Sequence, residues 1–429
     1  MNATYTAVAV STTEATAPSD NAILAVNARA AALRARGVDV ISLAAGEPDT
    51  PTAPYITEAA AHAALHGNHH YGPAAGEPAL RTAIAARLPA LTPAFTAGDV
   101  QLALGTKHAL SLALQAVLAP GEEVLLAEPG WPGHAGAVLA TGGVPVSVPV
   151  TAATGFLATA ADFEAARSER TRAVVLASPA NPSGAVYSAE QLTAIAHWAL
   201  THGVWVISDD VYEQIIYGEP VAHVLALVPQ LREQCLIVSG VSKAYAMTGW
   251  RIGWLAGPVQ PLTEARQHIS RTITHVPNIT QAAALAALTG DQTSVREALQ
   301  QYRRNRDLLT DALNDIAGVE CPAPAGGMFV FPDVTALLQD GLWASTVELA
   351  DWLLEHAGVA VVPGEAFHAP GHLRMCFAIS PAAAAAAARR LTRHLPPVSS
   401  HTTPVEAAVD AAVATAVTVA KAASVEVSR

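Results

Sequence analysis

A lysine and an arginine that could act together on one ligand lie within the stretch Val238–Trp254. Lys243 follows the apolar run Cys235–Val238, which is typical of a buried strand, and Arg251 comes eight residues later. A lysine brought towards the core is partly desolvated, so its amine is more often neutral and nucleophilic. The planar guanidinium of an arginine can bind a phosphate through two parallel hydrogen bonds. A nucleophilic amine beside a phosphate clamp suggests pyridoxal phosphate held as a Schiff base.

A second phosphate-binding feature is predicted in the stretch Leu102–His108, which has the pattern of a strand, a turn and the start of a helix. Exposed amides at a helix N-terminus bind anions. A phosphate can therefore rest on Gly105, Thr106 and Lys107. The alternative is an ordinary capped helix.

Polar side chains follow two further strand-like runs. Asn181 lies in Ser178–Gly184, and Asp209 and Tyr212 lie in Trp205–Glu213. Ligands of α/β proteins bind at the carboxyl ends of strands. A carboxylate there can keep a pyridine nitrogen protonated, which improves the ring as an electron sink. The alternatives are a Pro/Gly-rich turn for Asn181 and solvated loop acids for Asp209.

Two more residues are candidates for ligand contacts. Arg374 is a lone charged residue in an apolar run, where a charge needs a partner. It is suited either to a structural salt bridge or to the carboxylate of an amino acid. Trp131 can stack on an aromatic cofactor or can belong to the core.

Composition excludes several classes of protein. The chain has 429 residues, 51% of them hydrophobic, and a net charge of −12, without a Lys/Arg cluster that would follow nucleic acid. The three cysteines form no metal spacing and no disulfide framework, which favours a reducing cytoplasm. The histidines at 66, 69 and 70 lack a matching set of acids, so no metal site is expected. The cysteines are Cys235, Cys321 and Cys376.

We expect one globular enzyme between two low-complexity tails, residues 1–19 and 397–429. Residues 1–20 contain no Lys or Arg, unlike a signal peptide, and the Ala/Val-rich stretch 407–420 is too short and too weakly apolar to span a membrane. The remainder alternates between helical and strand-like segments. This pattern predicts an α/β fold with a mainly parallel sheet in a large domain, 50–295, and a smaller α+β domain formed by 20–49 and 296–396.

Taken together, these motifs resemble the class I/II aminotransferases, which are pyridoxal-phosphate enzymes of fold type I with a seven-stranded sheet. The nearest resemblance is to the prokaryotic aspartate/aromatic subgroup, and it extends from about Asn21 to about Leu395. The motifs that carry it are Ala45–Asp49, Tyr71–Gly76, Gly105–Leu110, Asn181–Gly184, Ser208–Glu213, Ser242–Arg251 and His372–Arg374.

The resemblance implies roles around the cofactor ring. Lys243 would hold the cofactor covalently and then carry the proton of the substrate Cα. Asp209 would pair with the pyridine nitrogen, and Tyr212 and Asn181 would hold the ring hydroxyl. Trp131 would stack on the ring.

The resemblance also implies roles at the phosphate and the substrate. Tyr71 would reach the phosphate in the neighbouring subunit, so a homodimer is expected. Arg374, Asn181 and the backbone at Gly46 would hold the α-carboxylate of the substrate. The residues implied at the phosphate within one subunit are Gly105, Thr106, Lys107 and Arg251.

Some positions depart from the family pattern. Gly240 stands three residues before Lys243, where a phosphate-binding Ser or Thr is common, and His134 stands where many relatives carry Tyr. His275 and Asn278 lie in the segment that in relatives reaches the partner's pocket. These departures leave the substrate open.

Three functions are consistent with this sequence. The first is transamination between an L-amino acid and a 2-keto acid. The second is elimination, replacement or C–C bond formation on an amino acid such as S-adenosylmethionine, with the same cofactor. The third is a non-catalytic sensor, for which the leading tail is too short to supply a DNA-binding domain.

Overall fold

The computed structural model describes residues 20–91, 93–220, 222–339 and 341–395. The predicted tails, 1–19 and 397–429, lie outside the described residues. The α-helices are α1 Asp20–Ala35, α2 Pro54–His66, α3 Pro78–Ala85, α4 Thr106–Val117, α5 Pro132–Ala140, α6 Ala160–Ala166, α7 Ala189–His202, α8 Val224–Leu227, α9 Val259–Thr272, α10 Asn278–Thr289, α11 Thr293–Asn314, α12 Thr335–Gln339, α13 Thr346–Trp352 and α14 Pro381–His394. The strands are β1 Ile41–Ser42, β2 Val100–Ala103, β3 Glu123–Glu128, β4 Val144–Pro149, β5 Thr171–Ala177, β6 Trp205–Asp209, β7 Cys235–Gly240, β8 Gly253–Ala256, β9 Phe329–Val330, β10 Val359–Ala360, β11 Val362–Pro363 and β12 Leu373–Cys376.

A seven-stranded sheet in the order β2-β8-β7-β6-β5-β3-β4 forms the centre of the fold. The pairs from β4 across to β7 are parallel, whereas β8 is antiparallel to both of its neighbours. The connection from Gly240 to Gly253 contains one 3₁₀ turn and no α-helix, which agrees with an antiparallel pair rather than a helical crossover. The prediction of a mainly parallel sheet is confirmed, and this short connection is the segment that carries Lys243 and Arg251.

Both faces of this sheet are covered. Successive residues of β5, Val174 and Val175, belong to two different apolar clusters, because side chains alternate between the faces of a strand. Helix α7 supplies Leu192 and Ile195 to one cluster, and α4 supplies Leu110 to the other. Burial on both faces explains why the strands are continuous apolar runs in the sequence.

A third apolar cluster surrounds a three-stranded antiparallel sheet in the order β11-β12-β9. Two short strands, β10 and β11, precede β12, and β10 pairs in parallel with β1. Helices α11 and α14 pack against each other and contribute Leu309 and Leu391 to the cluster. Arg374 lies on β12, the central strand of this sheet.

None of the helices within the described residues is long and apolar enough to span a membrane.

Candidate active site

A cavity of about 610 Å³ opens at the carboxyl ends of β5, β6 and β7. Most of the site residues predicted from the sequence lie on its wall, although they come from distant parts of the chain. Gly105 is next to the wall residue Thr106, and Tyr71 lies outside the cavity. The predicted residues on the wall are Gly46, Thr106, Lys107, Trp131, Asn181, Asp209, Tyr212, Lys243, Arg251 and Arg374.

Lys243 lies on the turn that follows β7, with its side chain directed into the cavity. Its Nζ donates a hydrogen bond to the carbonyl oxygen of Gly46 and is 6.0 Å from the centre of the Tyr212 ring. Burial lowers the pKa of the Lys243 amine to about 8. A substantial fraction of the amine is therefore neutral near physiological pH, and only the neutral form has the lone pair that attacks a carbonyl or accepts a proton.

Asp209 is the last residue of β6 and is buried beneath the cavity. Its Oδ2 lies 2.9 Å from His134 Nε2, and its Oδ1 accepts the backbone N–H of Val211 at 3.3 Å. His134 is buried on α5 and meets the edge of the Trp131 ring at a centroid distance of 5.1 Å. A fixed and buried carboxylate thus faces the cavity at a strand end, which suits it to a protonated ring nitrogen.

The N-terminus of α4 and the side chain of Arg251 form a cup for a phosphate. Thr106 Oγ1 is buried there without a hydrogen-bond partner. The N-cap residue Gly105 has a φ of +82°, and a Cβ on it would lie 2.8 Å from Arg251 Cζ. Arg251 donates from Nη1 to the Thr248 carbonyl at 2.6 Å and from Nη2 to the Leu104 carbonyl at 3.3 Å.

An orphaned hydroxyl, a helix N-terminus and a guanidinium are suited to binding a phosphate. The residues present therefore fit the phosphate of pyridoxal phosphate.

The presence of glycine at position 240 has a steric explanation. A Cβ on Gly240 would lie 2.7 Å from Thr106 Oγ1 and 2.8 Å from the carbonyl oxygen of Ile252. Real Cβ atoms essentially never come this close to other heavy atoms. The close approach of β7 to the start of α4 therefore requires glycine here, and the hydroxyl nearest to this position belongs to Thr106.

Arg374 is 2% exposed and lies between the rings of Phe329 and Phe367, 4.4 and 4.9 Å from its Cζ. Its Nη2 donates to the carbonyl oxygen of Ala44 at 2.8 Å, and its Nη1 donates to Asn181 Oδ1 at 3.3 Å. In the described part of the chain, Arg374 has no carboxylate partner and its Nε has no hydrogen-bond partner. The structural salt bridge that the sequence left open is thus not found there. Burial lowers the pKa of Arg374 to about 10, which leaves it charged at neutral pH.

Two aromatic side chains, Tyr212 and Trp131, also lie on the cavity wall. Tyr212 is buried, and burial raises the pKa of its hydroxyl, so that it stays protonated and can donate. Trp131 precedes α5 and lies under the Lys107 ammonium, which is 5.1 Å from the centre of the indole ring. Both side chains line the cavity and can contact an aromatic ligand.

Tyr71 is 85% exposed on this single chain and meets the edge of the His275 ring at a centroid distance of 6.0 Å. Asn278 donates to the carbonyl oxygens of Asn68 and His70. This group of polar residues lies apart from the cavity. The part of the chain that the structure describes holds no group of three or more His, Cys, Asp or Glu side chains arranged to bind a metal.

Sequence reasoning missed four contributors to the site. It noted His134 only as a departure from a family pattern, and it assigned no role to Glu47, to Thr248 or to α1. Glu47 accepts a hydrogen bond from Thr248 Oγ1 at 2.6 Å, beside the phosphate cup. Helix α1 places Ile23, Leu24 and Asn27 on the cavity wall, and no local pattern in the sequence distinguishes these residues from those of an ordinary helix.

Comparisons with known proteins agree with this geometry. Residues 38–391 match the family model for aminotransferases of class I and II. The chain is 43% identical to an aspartate aminotransferase of Streptomyces avermitilis, over 84% of this chain and 90% of the relative. It is 37% identical to a probable aspartate/prephenate aminotransferase of Aquifex aeolicus, over 87% of this chain and 95% of the relative.

Solved structures give the same result. The aspartate aminotransferase of Thermus thermophilus with maleate superposes with a TM-score of 0.80 at 38% identity, covering 87% of this chain and 96% of that chain. The enzyme from Rhizobium meliloti gives a TM-score of 0.80 at 37% identity, covering 86% and 95%. The resemblance read from the motifs and the fold type I architecture are confirmed, and transamination is favoured over elimination or replacement. The chain therefore belongs to the class I and II aminotransferases, which use pyridoxal phosphate to move an amino group between an amino acid and a 2-keto acid.

Proposed function

We propose that the cavity binds pyridoxal phosphate and an acidic L-amino acid, with aspartate as the preferred amino donor. The observation that carries this proposal is Arg374, a buried guanidinium on the cavity wall without a carboxylate partner among the described residues. Leaving such a charge uncompensated is costly, and the α-carboxylate of a substrate supplies the missing anion. Asn181 and the backbone at Gly46 lie beside the guanidinium and complete the carboxylate site.

When bound, pyridoxal phosphate supplies an electron sink for the negative charge that develops at the substrate Cα. We assign its phosphate to Arg251 and its ring nitrogen to Asp209. Asn181 and Tyr212 are assigned to the ring hydroxyl. The other phosphate contacts are the amides of Gly105 and Lys107 and the hydroxyl of Thr106, and Trp131 packs on the ring.

Lys243 performs the proton transfer in this proposal. Its lowered pKa supports the neutral amine as the base that takes the proton from the substrate Cα and returns it elsewhere. Arg374 fixes the carboxylate end of the substrate, so the Cα–H bond can be aligned with Lys243 Nζ. Tyr212 is buried and stays protonated, and Asp209 is held by His134. Both side chains therefore keep the polar environment fixed while charge moves.

The proposal that the substrate has an acidic side chain is supported by Lys107 and by the names of the relatives. Lys107 adds a positive charge to the cavity wall beside Trp131. The relatives are named for aspartate or for aspartate and prephenate, and the Thermus thermophilus structure was solved with maleate, a dicarboxylate. We assign the distal carboxylate of the substrate to the Lys107 ammonium.

The substrate assignment is tested by kcat/KM for L-aspartate and L-phenylalanine with 2-oxoglutarate as the acceptor. Lys107→Met should lower the value for aspartate about tenfold or more, which is the loss of one charged hydrogen bond, and change that for phenylalanine much less. Lys107→Arg is the matched control that keeps the charge. A wild-type preference for phenylalanine, or an equal fall for both donors in Lys107→Met, would contradict an acidic substrate.

We further infer a homodimer with shared sites, in which Tyr71 reaches the phosphate in the neighbouring subunit. Tyr71 and Leu65 are 85% and 73% exposed on one chain, so both side chains are accessible to a second subunit. Mixing Tyr71→Ala subunits with Lys243→Ala subunits creates hybrids with one intact site. Activity above that of either parent is expected, and hybrids without such recovery would contradict the shared site.

The same proposal includes the domain boundaries of the chain and its cellular location. The seven-stranded sheet has an apolar cluster on each face, and a third cluster lies around the three-stranded sheet, which supports a large domain, 50–295, and a small domain formed by 20–49 and 296–396. The three described cysteines are all free and buried, which supports a cytoplasmic enzyme.

A further inference from the structure

The loop over residues 44–49 is fixed on the substrate side of the cavity. The carbonyl oxygen of Ala44 accepts from Arg374 Nη2 at 2.8 Å, and that of Gly46 accepts from Lys243 Nζ. Asp49 accepts the backbone N–H of Ser380 at 2.7 Å through its carboxylate. Hydrogen bonds therefore tie the backbone of the loop to Arg374 and Lys243, which are assigned to the substrate.

The side chain of Glu47 in the same loop reaches the phosphate cup. Its Oε2 accepts a hydrogen bond from Thr248 Oγ1 at 2.6 Å, and the carbonyl oxygen of Thr248 accepts from Arg251 Nη1 at 2.6 Å. Two consecutive short contacts thus join the substrate loop to the guanidinium of Arg251. They link parts of the chain 201 residues apart.

Arg251 depends on such support. It adopts the left-handed backbone conformation, with a φ of +54°, which is unfavourable for a residue with a long side chain. Thr248 begins the single 3₁₀ turn, Thr248–Trp250, that leads into it. A hydrogen bond that fixes the Thr248 side chain restricts this turn and with it the direction of the Arg251 side chain.

We propose that Glu47 is a positioning residue that couples the substrate-carboxylate loop to the phosphate clamp. The inference rests on the proposed assignments of Arg251 to the phosphate and Arg374 to the substrate carboxylate. Occupation of the carboxylate site restrains the 44–49 loop further, and Glu47 transmits that restraint through Thr248 to Arg251. Because linkage is reciprocal, a bound cofactor phosphate in turn favours the loop conformation that receives the substrate.

Binding of pyridoxamine phosphate to the apoenzyme tests this coupling without any turnover. This probe carries the ring and the phosphate but forms no Schiff base with Lys243, so its Kd, measured by fluorescence, reports the non-covalent contacts. Glu47→Ala and Thr248→Val should each raise Kd about three- to tenfold, the usual effect of one hydrogen bond. The double variant should be no worse than the weaker-binding single variant, because both changes break the same link.

Conservative variants separate the hydrogen bond from the charge and from loss of folding. Glu47→Gln keeps an oxygen that accepts from Thr248, and Thr248→Ser keeps the hydroxyl, so both should stay within about twofold of wild type. Asp49→Ala is the matched control, because it removes a contact of the same loop with Ser380 and leaves the hydrogen bond between Glu47 and Thr248 in place. A rise in Kd for Asp49→Ala equal to that for Glu47→Ala would mean general loosening of the loop and would overturn the proposal.

Coupling itself is measured by repeating the titration with saturating maleate, a dicarboxylate that does not react. Maleate should tighten pyridoxamine phosphate binding about threefold or more in the wild type and no longer do so in Glu47→Ala. Absence of tightening in the wild type overturns the inference. Arg251→Ala distinguishes an error in the phosphate assignment from an error in the role of Glu47. If Arg251→Ala leaves Kd unchanged, the proposed phosphate site is wrong. If it weakens binding while Glu47→Ala does not, only the role of Glu47 is wrong.

Discussion

His134 Nε2 lies 2.9 Å from Asp209 Oδ2, although the two residues are 75 positions apart in the sequence. An ionised carboxylate only accepts hydrogen bonds, so Nε2 is the nitrogen that carries the proton. The contact is buried, which strengthens it and fixes the orientation of the carboxylate. Asp209 thus presents its remaining lone pairs to the cavity in one defined direction.

We expect His134→Phe to lower kcat about tenfold, because Asp209 loses a buried hydrogen bond and its fixed orientation. The pH titration of the visible cofactor absorbance should shift as well, which a purely structural defect would not cause. His202→Gln is the control, since His202 lies 3.2 Å from Glu164 in a less buried pair distant from the cavity. A kcat within twofold of wild type in His134→Phe would argue against a positioning role.

The pKa of Lys243 predicts a pH-dependent stability of the apoenzyme. Burial lowers this pKa from 10.5 to about 8 in the folded chain, so the folded state gives up its proton before the unfolded state does. Between these two pH values the unfolded state binds more protons, and stability rises with pH. Relative to Lys243→Met, wild-type apoenzyme should be least stable below pH 8 and should recover as the pH rises towards 10.5.

Urea denaturation of both apoproteins across this range measures the difference in unfolding free energy. A difference that stays constant with pH would show that the amine titrates normally in the folded chain. Lys243→Met should also lose turnover and the visible absorbance of the bound cofactor, because methionine is neither a nucleophile nor a base.

Arg374→Met should affect activity and stability in opposite directions. We expect kcat/KM to fall about 10²-fold or more, because two charged hydrogen bonds to the carboxylate are lost. The apoenzyme should keep or gain stability, because an apolar side chain replaces a buried charge that lacks a carboxylate partner in the described chain. Steady-state kinetics and thermal denaturation measure the two effects, with Arg167→Met, in an exposed ion pair with Glu164, as the control. A strongly destabilised apoenzyme would point to a structural role for Arg374.

Gly240→Ser should weaken the protein, although it introduces the residue type that is common at this position in the family. The new Cβ would press against Thr106 Oγ1 and the carbonyl of Ile252, at a cost of about 1–3 kcal/mol typical of overpacking. A lower Tm and a higher Kd for pyridoxal phosphate are expected. Gly218→Ser is the control, since a Cβ there meets nothing within 4 Å. Tighter cofactor binding in Gly240→Ser would show that the backbone can yield.

Local patterns in the sequence were enough to predict most of the elements and the family. The apolar runs before Asp209 and Lys243 became β6 and β7, and the helix start predicted within Leu102–His108 is the first turn of α4. These elements are set by periodicity, burial and proline or glycine at their ends. The site residues flanking them reach one cavity because parallel strands end at the same edge of the sheet.

Contacts between distant segments could not be read in the same way. The hydrogen bonds of Asp209 with His134 and of Thr248 with Glu47 depend on how loops from different strands meet, which no local pattern reports. Among the described residues, the absence of a carboxylate near Arg374 and the steric need for glycine at 240 likewise appear only when the packed neighbours are known. The sequence left both points open for that reason.

Residues from two different sheets form the walls of the cavity, and this separation has a consequence for engineering the enzyme. The groups assigned to the cofactor follow the strands of the seven-stranded sheet, whereas Arg374 belongs to the three-stranded sheet and α1 adds an apolar rim. Helix α1 is in turn tied to α13 by the ion pair of Arg29 with Asp351. Substitutions in α1 can therefore change which amino donor is accepted without altering the residues assigned to the cofactor. Helix α1 is for this reason a suitable target for directed evolution of new amine products.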